Sequence, residues 1–501
     1  MTKDTKRRAK NYIPVTVPFS AATPAEELEV RESARGIPAW ANRCIWTDRM
    51  LNALTVGVRG GKWHALSDKV ESELNLFTSA RKVVGKKGAA GVDRQSTEDF
   101  AEHEIDEIRR LHRSLREGTY RPRPVRRVWI PKPGSSTERP LGIPTVRDRV
   151  VQTAVLNVIE PIFDNEFHER SFGFRHGRSC HDALRVVQQK LDEGKVFVVD
   201  ADLQSYFDTI PKDRLMQLVQ AKISDHRLLA LIQSFLDQSI LEELSEWTPE
   251  SGVPQGAVLS PLLSNLYLNE LDHRMAELGY EMVRYADDFV VGIIGTLTEA
   301  KSILVTIRKF LAENLHLQVS DEKTAIKDAK EGIVFLSYGV RTVRGGKTVK
   351  VKKYGRYFTQ RSISEGIRLE VPKSVAIKFC HKHHYGQWYA TKASHISSRL
   401  HCSDVEIIMT YNAEMRGLAN YYALASNVKT RLNKLGYLAL VSLVRTLAAK
   451  HKTKTSRWFE KLRRGKEFVL SYMVQGERKQ VTVYQLKHLQ RQAFIQNVDM
   501  T

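Results

Sequence analysis

Cysteine is scarce in this chain. Its 501 residues hold four, Cys44, Cys180, Cys380 and Cys402, scattered and without a C-x-x-C pair. That argues against a disulfide framework or a zinc ribbon and fits reduced thiols in a cytosol. Long apolar runs are lacking too, and none could span a bilayer. Met1 to Lys10 is basic, but no apolar core follows it, so no secretory signal is expected. Acidic charge is in deficit: 57 Asp and Glu stand against 78 Lys and Arg, a formal charge of +21. A chain this basic suits a polyanion, nucleic acid first and an anionic membrane surface second. Its length exceeds one compact core and predicts two to four domains.

What is there centres on Arg284-Tyr285-Ala286-Asp287-Asp288-Phe289-Val290-Val291. β-Branched and aromatic residues around an Asp-Asp pair predict a hairpin with the acids at its turn. Two acids with no nearby base either form an ordinary solvated turn or hold a hard divalent cation, Mg²⁺ by default. Upstream, Lys195-Val196-Phe197-Val198-Val199-Asp200-Ala201-Asp202 is a continuous apolar run ending in acids. It reads as a central strand whose end delivers a carboxylate. Asp202, Asp287 and Asp288 are then the set a two-metal site requires, with two Mg²⁺ ions clamping the oxygens of an in-line phosphoryl transfer. Asp200 shares the face of Asp202 by strand alternation and is a decoy candidate. Phe207 is either a core ring or a gate on a nucleotide sugar. Gln255, between Pro254 and Gly256, is a candidate contact to the same nucleotide. Lys132 and Arg139, on a proline-flanked edge hairpin, are solvated loop cations or a clamp for triphosphate oxygens.

The rest of the chain sets the organisation. Residues 1–60 show no strong period and are expected to be a partly disordered extension. Helices are predicted at about 96–117, 147–163, 212–240, 259–278 and 298–315, and strands near 317–320 and 332–343. Their order is that of an α+β sheet with helices on one face. After Arg341, basic residues including Lys350, Lys352, Lys353 and Arg356 alternate with apolar and aromatic ones, and Gly345-Gly346 is placed as a hairpin turn. Such alternation can turn one face to a phosphate backbone. Residues 373–454 read as mostly helical, and 458–494 as a strand pair with a basic helix. Arg416, Lys429, Arg431, Lys434 and Lys452 add candidate RNA contacts, while Tyr411, Tyr421 and Tyr422 pack or stack on bases.

These motifs together resemble the reverse transcriptase–maturases of bacterial group II introns. The markers are Lys87-Gly-Ala-Ala-Gly-Val-Asp93, Arg139-Pro-Leu-Gly-Ile-Pro144, Ser171-Phe-Gly-Phe-Arg175, Ala201-Asp202 with Tyr206-Phe207-Asp208, Pro254-Gln-Gly256 with Ser260-Pro-Leu-Leu-Ser-Asn265, Tyr285-Ala-Asp-Asp288, Glu322-Lys323-Thr324 and Phe335-Leu336. The resemblance implies a right-hand polymerase. Fingers and palm would occupy 61–345, a thumb that doubles as maturase region 346–455, and a basic segment 456–501. It implies that Asp202, Asp287 and Asp288 are the catalytic acids, Phe207 the sugar gate, Gln255 a nucleotide contact, and Lys132 with Arg139 the triphosphate clamp. Implied partners are group II intron RNA, an RNA template with DNA primer, dNTPs and a DNA target, in the bacterial cytosol near the nucleoid and away from membrane.

Many family members end in a zinc-containing H-N-H endonuclease; its cysteine pairs are missing here, and no endonuclease is expected. Cys380-His381, His383-His384 and His401-Cys402 fit RNA contact or packing better than metal. Two other readings remain open: a domesticated relative used in repair or defence, and a splicing chaperone with a dead polymerase. Intact acids argue against the second.

Overall fold

The computed structural model describes residues 45–492 apart from 59, 132–137, 195–196, 244, 344–347, 354–355, 362–365 and 475; at 348–353 and 357–361 it describes the backbone alone. The chain enters through α1 (Asp48–Val56), which Thr47 caps by accepting from the Met50 amide. Ile45, Trp46, Leu51 and Leu54 are buried, so this part of the expected extension is folded core. Trp46 anchors it, with its ring edge-on to Trp63 and its Nε1 donating to Asn157 O. The expected helix at 96–117 is two helices. Ser96 starts a short one in a capping box with Asp99, His103 breaks the run, and a longer helix covers Glu104–Arg116.

β1 (Val125–Pro131) and β2 (Glu138–Ile143) form the basic hairpin. α2 (Val146–Asp164) and α3 (Cys180–Asp192) lead to β3 (Phe197–Ala201). Helices Lys212–Lys222 and His226–Leu236 precede β4 (Ile240–Glu242) and β5 (Ser245–Trp247), which extend the first hairpin into a sheet of order β2-β1-β4-β5. α4 (Ser260–Glu277), β6 (Glu281–Tyr285), β7 (Asp288–Ile293), α5 (Leu297–Asn314) and β8 (Ala325–Asp328) complete the expected palm region around an antiparallel sheet of order β6-β7-β3-β8.

Strand alternation puts this sheet between two cores. Val199, Ala201, Phe289 and Val291 face one, with α4 and α5. Val198, Val283 and Val290 face the other, with Leu184 and Val187 of α3. Helices therefore cover both faces, not one. The apolar run at 197–201 carries no alternation to reveal a solvated side because the sheet has none.

β9 (Ile333–Phe335), β10 (Tyr338–Val343), β11 (Thr348–Lys353), β12 (Arg356–Arg361) and β13 (Gly366–Glu370) follow. β11 pairs with β12, not with β10 across Gly345-Gly346, and those two glycines lie outside the described residues. β10 instead pairs with β9 and β13. The strand expected at 317–320 reduces to a bridge between Leu203 and Val319. The last region packs α6 (Lys373–Lys382), α7 (Asp404–Tyr421), α8 (Val428–Lys450) and α9 (Thr455–Leu462) around Leu435, Leu443 and Leu447. It ends in a strand pair, Glu467–Val474 with Glu477–Thr482, and then a single helical turn at Leu486–His488 where a basic helix was expected.

Candidate active site

The β6–β7 hairpin turns through two residues, Ala286 and Asp287, with Tyr285 paired to Asp288. Ala286 has φ 59°, the left-handed region that an L residue enters at a cost. Arg284 holds it there. This guanidinium is 0% exposed and bonds Asp272 through Nε (2.8 and 3.0 Å) and Nη2 (2.5 Å). Its Nη1 donates to Asn265 Oδ1 and to Ala286 O, each at 2.9 Å. Asp272 and Asn265 both come from α4, which packs beneath the hairpin.

The Ser171-Phe-Gly-Phe-Arg175 segment supports the turn from the other side. Phe172 N donates to Arg284 O at 2.9 Å, and Arg284 N to Arg170 O at 3.0 Å. Asn265 Nδ2 donates to Gly173 O. A Cβ on Gly173 would lie 2.2 Å from Ala286 N, so only glycine lets the two backbones touch. Arg175 fixes the segment through Asp164 and the carbonyls of His168 and Ser171.

Asp202, just past β3, lines one open cleft of about 530 Å³ with Asp200, Asp287 and Asp288. Burial first, then the Asp202 charge, pushes the Asp287 carboxyl above its usual range. Burial, then the charges of Asp287, Asp202 and Asp200, pushes Asp288 up to about 6. Lys323 partly answers this excess of negative charge, its Nζ 2.6 Å from Asp202 Oδ2. Asp200 is paired with Lys327 at 2.7 Å, as Asp202 is with Lys323. Among the described residues no three His, Cys, Asp or Glu side chains are drawn together as a finished metal cage. Asp202 is turned to Lys323. The donor set, hard carboxylate oxygens, fits a divalent cation and nothing softer.

Phe207 is half-buried against the core, and its carbonyl accepts from Val253 N at 2.7 Å. Gly252, at φ 92°, allows this approach, since a Cβ there would lie 2.8 Å from Phe207 O. Gln255 Nε2 reaches Asp208 Oδ2 at 3.4 Å, and its carbonyl accepts from Gly142 N at 2.6 Å. The Pro254-Gln255-Gly256 turn thus ties β2 to the Phe207 segment, and these segments line a second cleft of about 450 Å³. Arg139 is exposed on β2, while Lys132 lies outside the described residues.

The expected RNA contacts are mixed. Lys350, Lys352 and Lys353 lie on β11, where only backbone is described, and Arg356 is exposed on β12. Lys429 and Lys452 are exposed. Arg416 lies 5.5 Å over the Tyr484 ring and Lys434 5.0 Å over Trp388. Arg431 is half-buried, with its Nε shielded and without a hydrogen-bond partner. Tyr411 is core, its hydroxyl against Ser442 and Thr446. Cys380 is buried and His383 is held by Glu414 at 2.8 Å, so these two pack, while His381, His384 and His401 are exposed. The Arg284–Asp272–Asn265 clamp was missed; an arginine inside an apolar strand was the available signal, because a buried charge needs a partner.

An antiparallel sheet carrying carboxylates at a strand end and at a hairpin turn is the arrangement expected of a nucleotide polymerase. Residues 130–340 match the family model for reverse transcriptase (RNA-dependent DNA polymerase), and residues 364–495 match type II intron maturase. The group II intron-encoded protein LtrA of Lactococcus lactis subsp. cremoris is 30% identical over 453 residues, covering 76% of this chain and 74% of that protein. Protein YkfC of Escherichia coli K12 is 34% identical over 328 residues, 58% of this chain and 83% of the relative. The putative COX1/OXI3 intron 2 protein of Saccharomyces cerevisiae is 28% identical, covering 70% of this chain and 48% of its own length. The chain belongs to the family of group II intron-encoded proteins, with a reverse transcriptase region followed by an intron maturase region. It is an RNA-directed DNA polymerase with maturase function. The family uses a divalent metal and binds intron RNA. No helix among the described residues is long and apolar enough to cross a membrane.

Proposed function

We propose that Asp202, Asp287 and Asp288 are the catalytic acids of DNA synthesis and that they hold two Mg²⁺ ions. The observation that carries this reading is their convergence on one cleft, where their mutual repulsion is only partly relieved by Lys323. When bound, the ions would neutralise charge on the attacking primer oxygen and the departing pyrophosphate. The chain's own residues do the rest. Arg284 and Gly173 fix the turn that carries Asp287, and β3 fixes Asp202. Phe207 stands beside the 2′ carbon of the incoming dNTP, Gln255 contacts the same nucleotide, and Arg139 with Lys132 receives its triphosphate. The exposed cations Arg356, Lys429 and Lys452, with Lys350, Lys352, Lys353, Arg416, Arg431 and Lys434, neutralise phosphates of the intron RNA or of a template–primer duplex. Fingers and palm occupy 61–345, the thumb and maturase region 346–455, and a basic segment 456–501. A DNA target is the further partner.

The test is Asp202→Asn assayed for cDNA synthesis and for bound Mn²⁺ by electron paramagnetic resonance. Synthesis should fall below detection and the bound count should drop from two. Wild-type synthesis, or an unchanged count, overturns the reading.

A further inference from the structure

The cleft that holds the carboxylates has a second wall, the turn from Phe335 through Leu336 and Ser337 to Tyr338 between β9 and β10. Leu336 and Ser337 take φ of 46° and 61°. Two consecutive left-handed residues suit a tight hairpin, but such positions favour Asn and Gly. Leucine and serine there need outside support.

That support comes from the end of α7, in the region that matches intron maturases. Tyr421 Oη donates to Leu336 O at 2.7 Å, and Tyr422 Oη to Ser337 O at 3.1 Å. The helix end is itself pinned to the palm side. Tyr421 O accepts from His181 Nε2 of α3 at 2.7 Å and from the Tyr338 hydroxyl. The fully buried Tyr338 ring lies 5.8 Å from the Tyr421 ring and 4.9 Å from that of Tyr422. Tyr421 also lines the cleft, and Val334 beside the turn is 55% exposed there. The two hydroxyls are thus committed to carbonyls of a strained turn and not displayed for RNA.

We propose that Tyr421 and Tyr422 are positioning residues for DNA synthesis. Their hydroxyls hold the β9–β10 turn as the wall against which the 3′-terminal segment of the primer strand rests. This rests on the reading of Asp202, Asp287 and Asp288 as the catalytic acids. Attack requires the primer oxygen in line and within contact distance, so a small shift of its support costs rate. A helix of the maturase region thereby sets the geometry of the polymerase site.

The experiment uses the full chain with Tyr421→Phe, Tyr422→Phe and both together, which remove the hydroxyls and keep the rings. In the double variant kcat/KM for the primer–template should fall about 10-fold, the worth of two modest hydrogen bonds. KM for dNTP and intron RNA affinity should stay within about twofold on the same grounds. Adding Ser337→Gly should restore most of the loss, because glycine takes positive φ without strain. Wild-type kcat/KM in the double variant overturns the proposal. So does a loss of extension and RNA binding together that Ser337→Gly leaves in place, which marks general destabilisation. Asp287→Asn runs in parallel. If that variant extends primers normally, the catalytic reading has failed and takes this proposal with it. If it is inactive while the tyrosine variants are normal, the proposal alone has failed.

Discussion

Arg284→Met tests how the catalytic turn is held. The guanidinium and Asp272 are 0% and 3% exposed, so the substitution leaves a carboxylate buried and unpaired. Breaking one partner of a buried pair costs about 3–5 kcal/mol. Met fills a similar volume, so cavity formation adds little. The loss should appear locally as faster amide exchange across β6 and β7. Arg284→Met/Asp272→Leu removes both charges and should recover about 2 kcal/mol or more of the loss. It should not recover cDNA synthesis, because Ala286 O still lacks its donor and the turn is free to leave its left-handed conformation. Exchange followed by mass spectrometry, with primer extension on the same preparations, measures both. A single variant exchanging like wild type, or a double variant with full synthesis, would refute the reasoning.

Three further outcomes are expected. Gly173→Ala pushes a methyl group to 2.2 Å from Ala286 N, and it should abolish extension while melting shows a loss of about 1–3 kcal/mol; normal extension would mean the two backbones separate freely. Burial would raise the Glu414 carboxyl, but hydrogen bonds from His383, Arg399 and Tyr385 outweigh it and bring it down to about 2. Its folded pKa lies below the ordinary value, so its stabilisation is full above about pH 4.5 and is lost as pH falls towards 2. Screening at this partly wetted site leaves about 2 kcal/mol, so acid melting of wild type and Glu414→Gln should converge across that window, and parallel curves would refute the assignment. Phe207→Val should raise ribonucleotide incorporation with modest loss of deoxynucleotide use, and an unchanged ratio returns Phe207 to a purely core role.

The parts of the fold legible in the sequence were those with local signals. The apolar strand at 197–201, the hairpin around Asp287 and helices such as 260–277 announce themselves by run length, alternation or period. Asp202, Asp287 and Asp288 were legible as candidates because the Asp-Asp turn comes with an upstream strand ending in acids; alone, such a turn reads equally well as ordinary solvated chain. What was missed is non-local. Nothing in Ala286 announces a left-handed turn, since its support is a guanidinium bonded to a helix 12 residues upstream. The two-faced burial of the palm sheet depends on α3 and on chain beyond 330. Tyr421 and Tyr422 were read as packing or base-stacking rings, and only the fold reveals the carbonyls they serve. Residues 45–56 looked irregular because one helix and two anchoring side chains are too short a pattern to read.

The central claim is that the three carboxylates run DNA synthesis and leave splicing assistance to other residues. The most direct measurement is cDNA synthesis by Asp287→Asn on an RNA template, made beside an intron-splicing assay at low Mg²⁺ with the same protein. The account predicts no measurable cDNA and wild-type assistance to splicing. Extension at the wild-type rate, or splicing assistance lost along with it, would contradict the account.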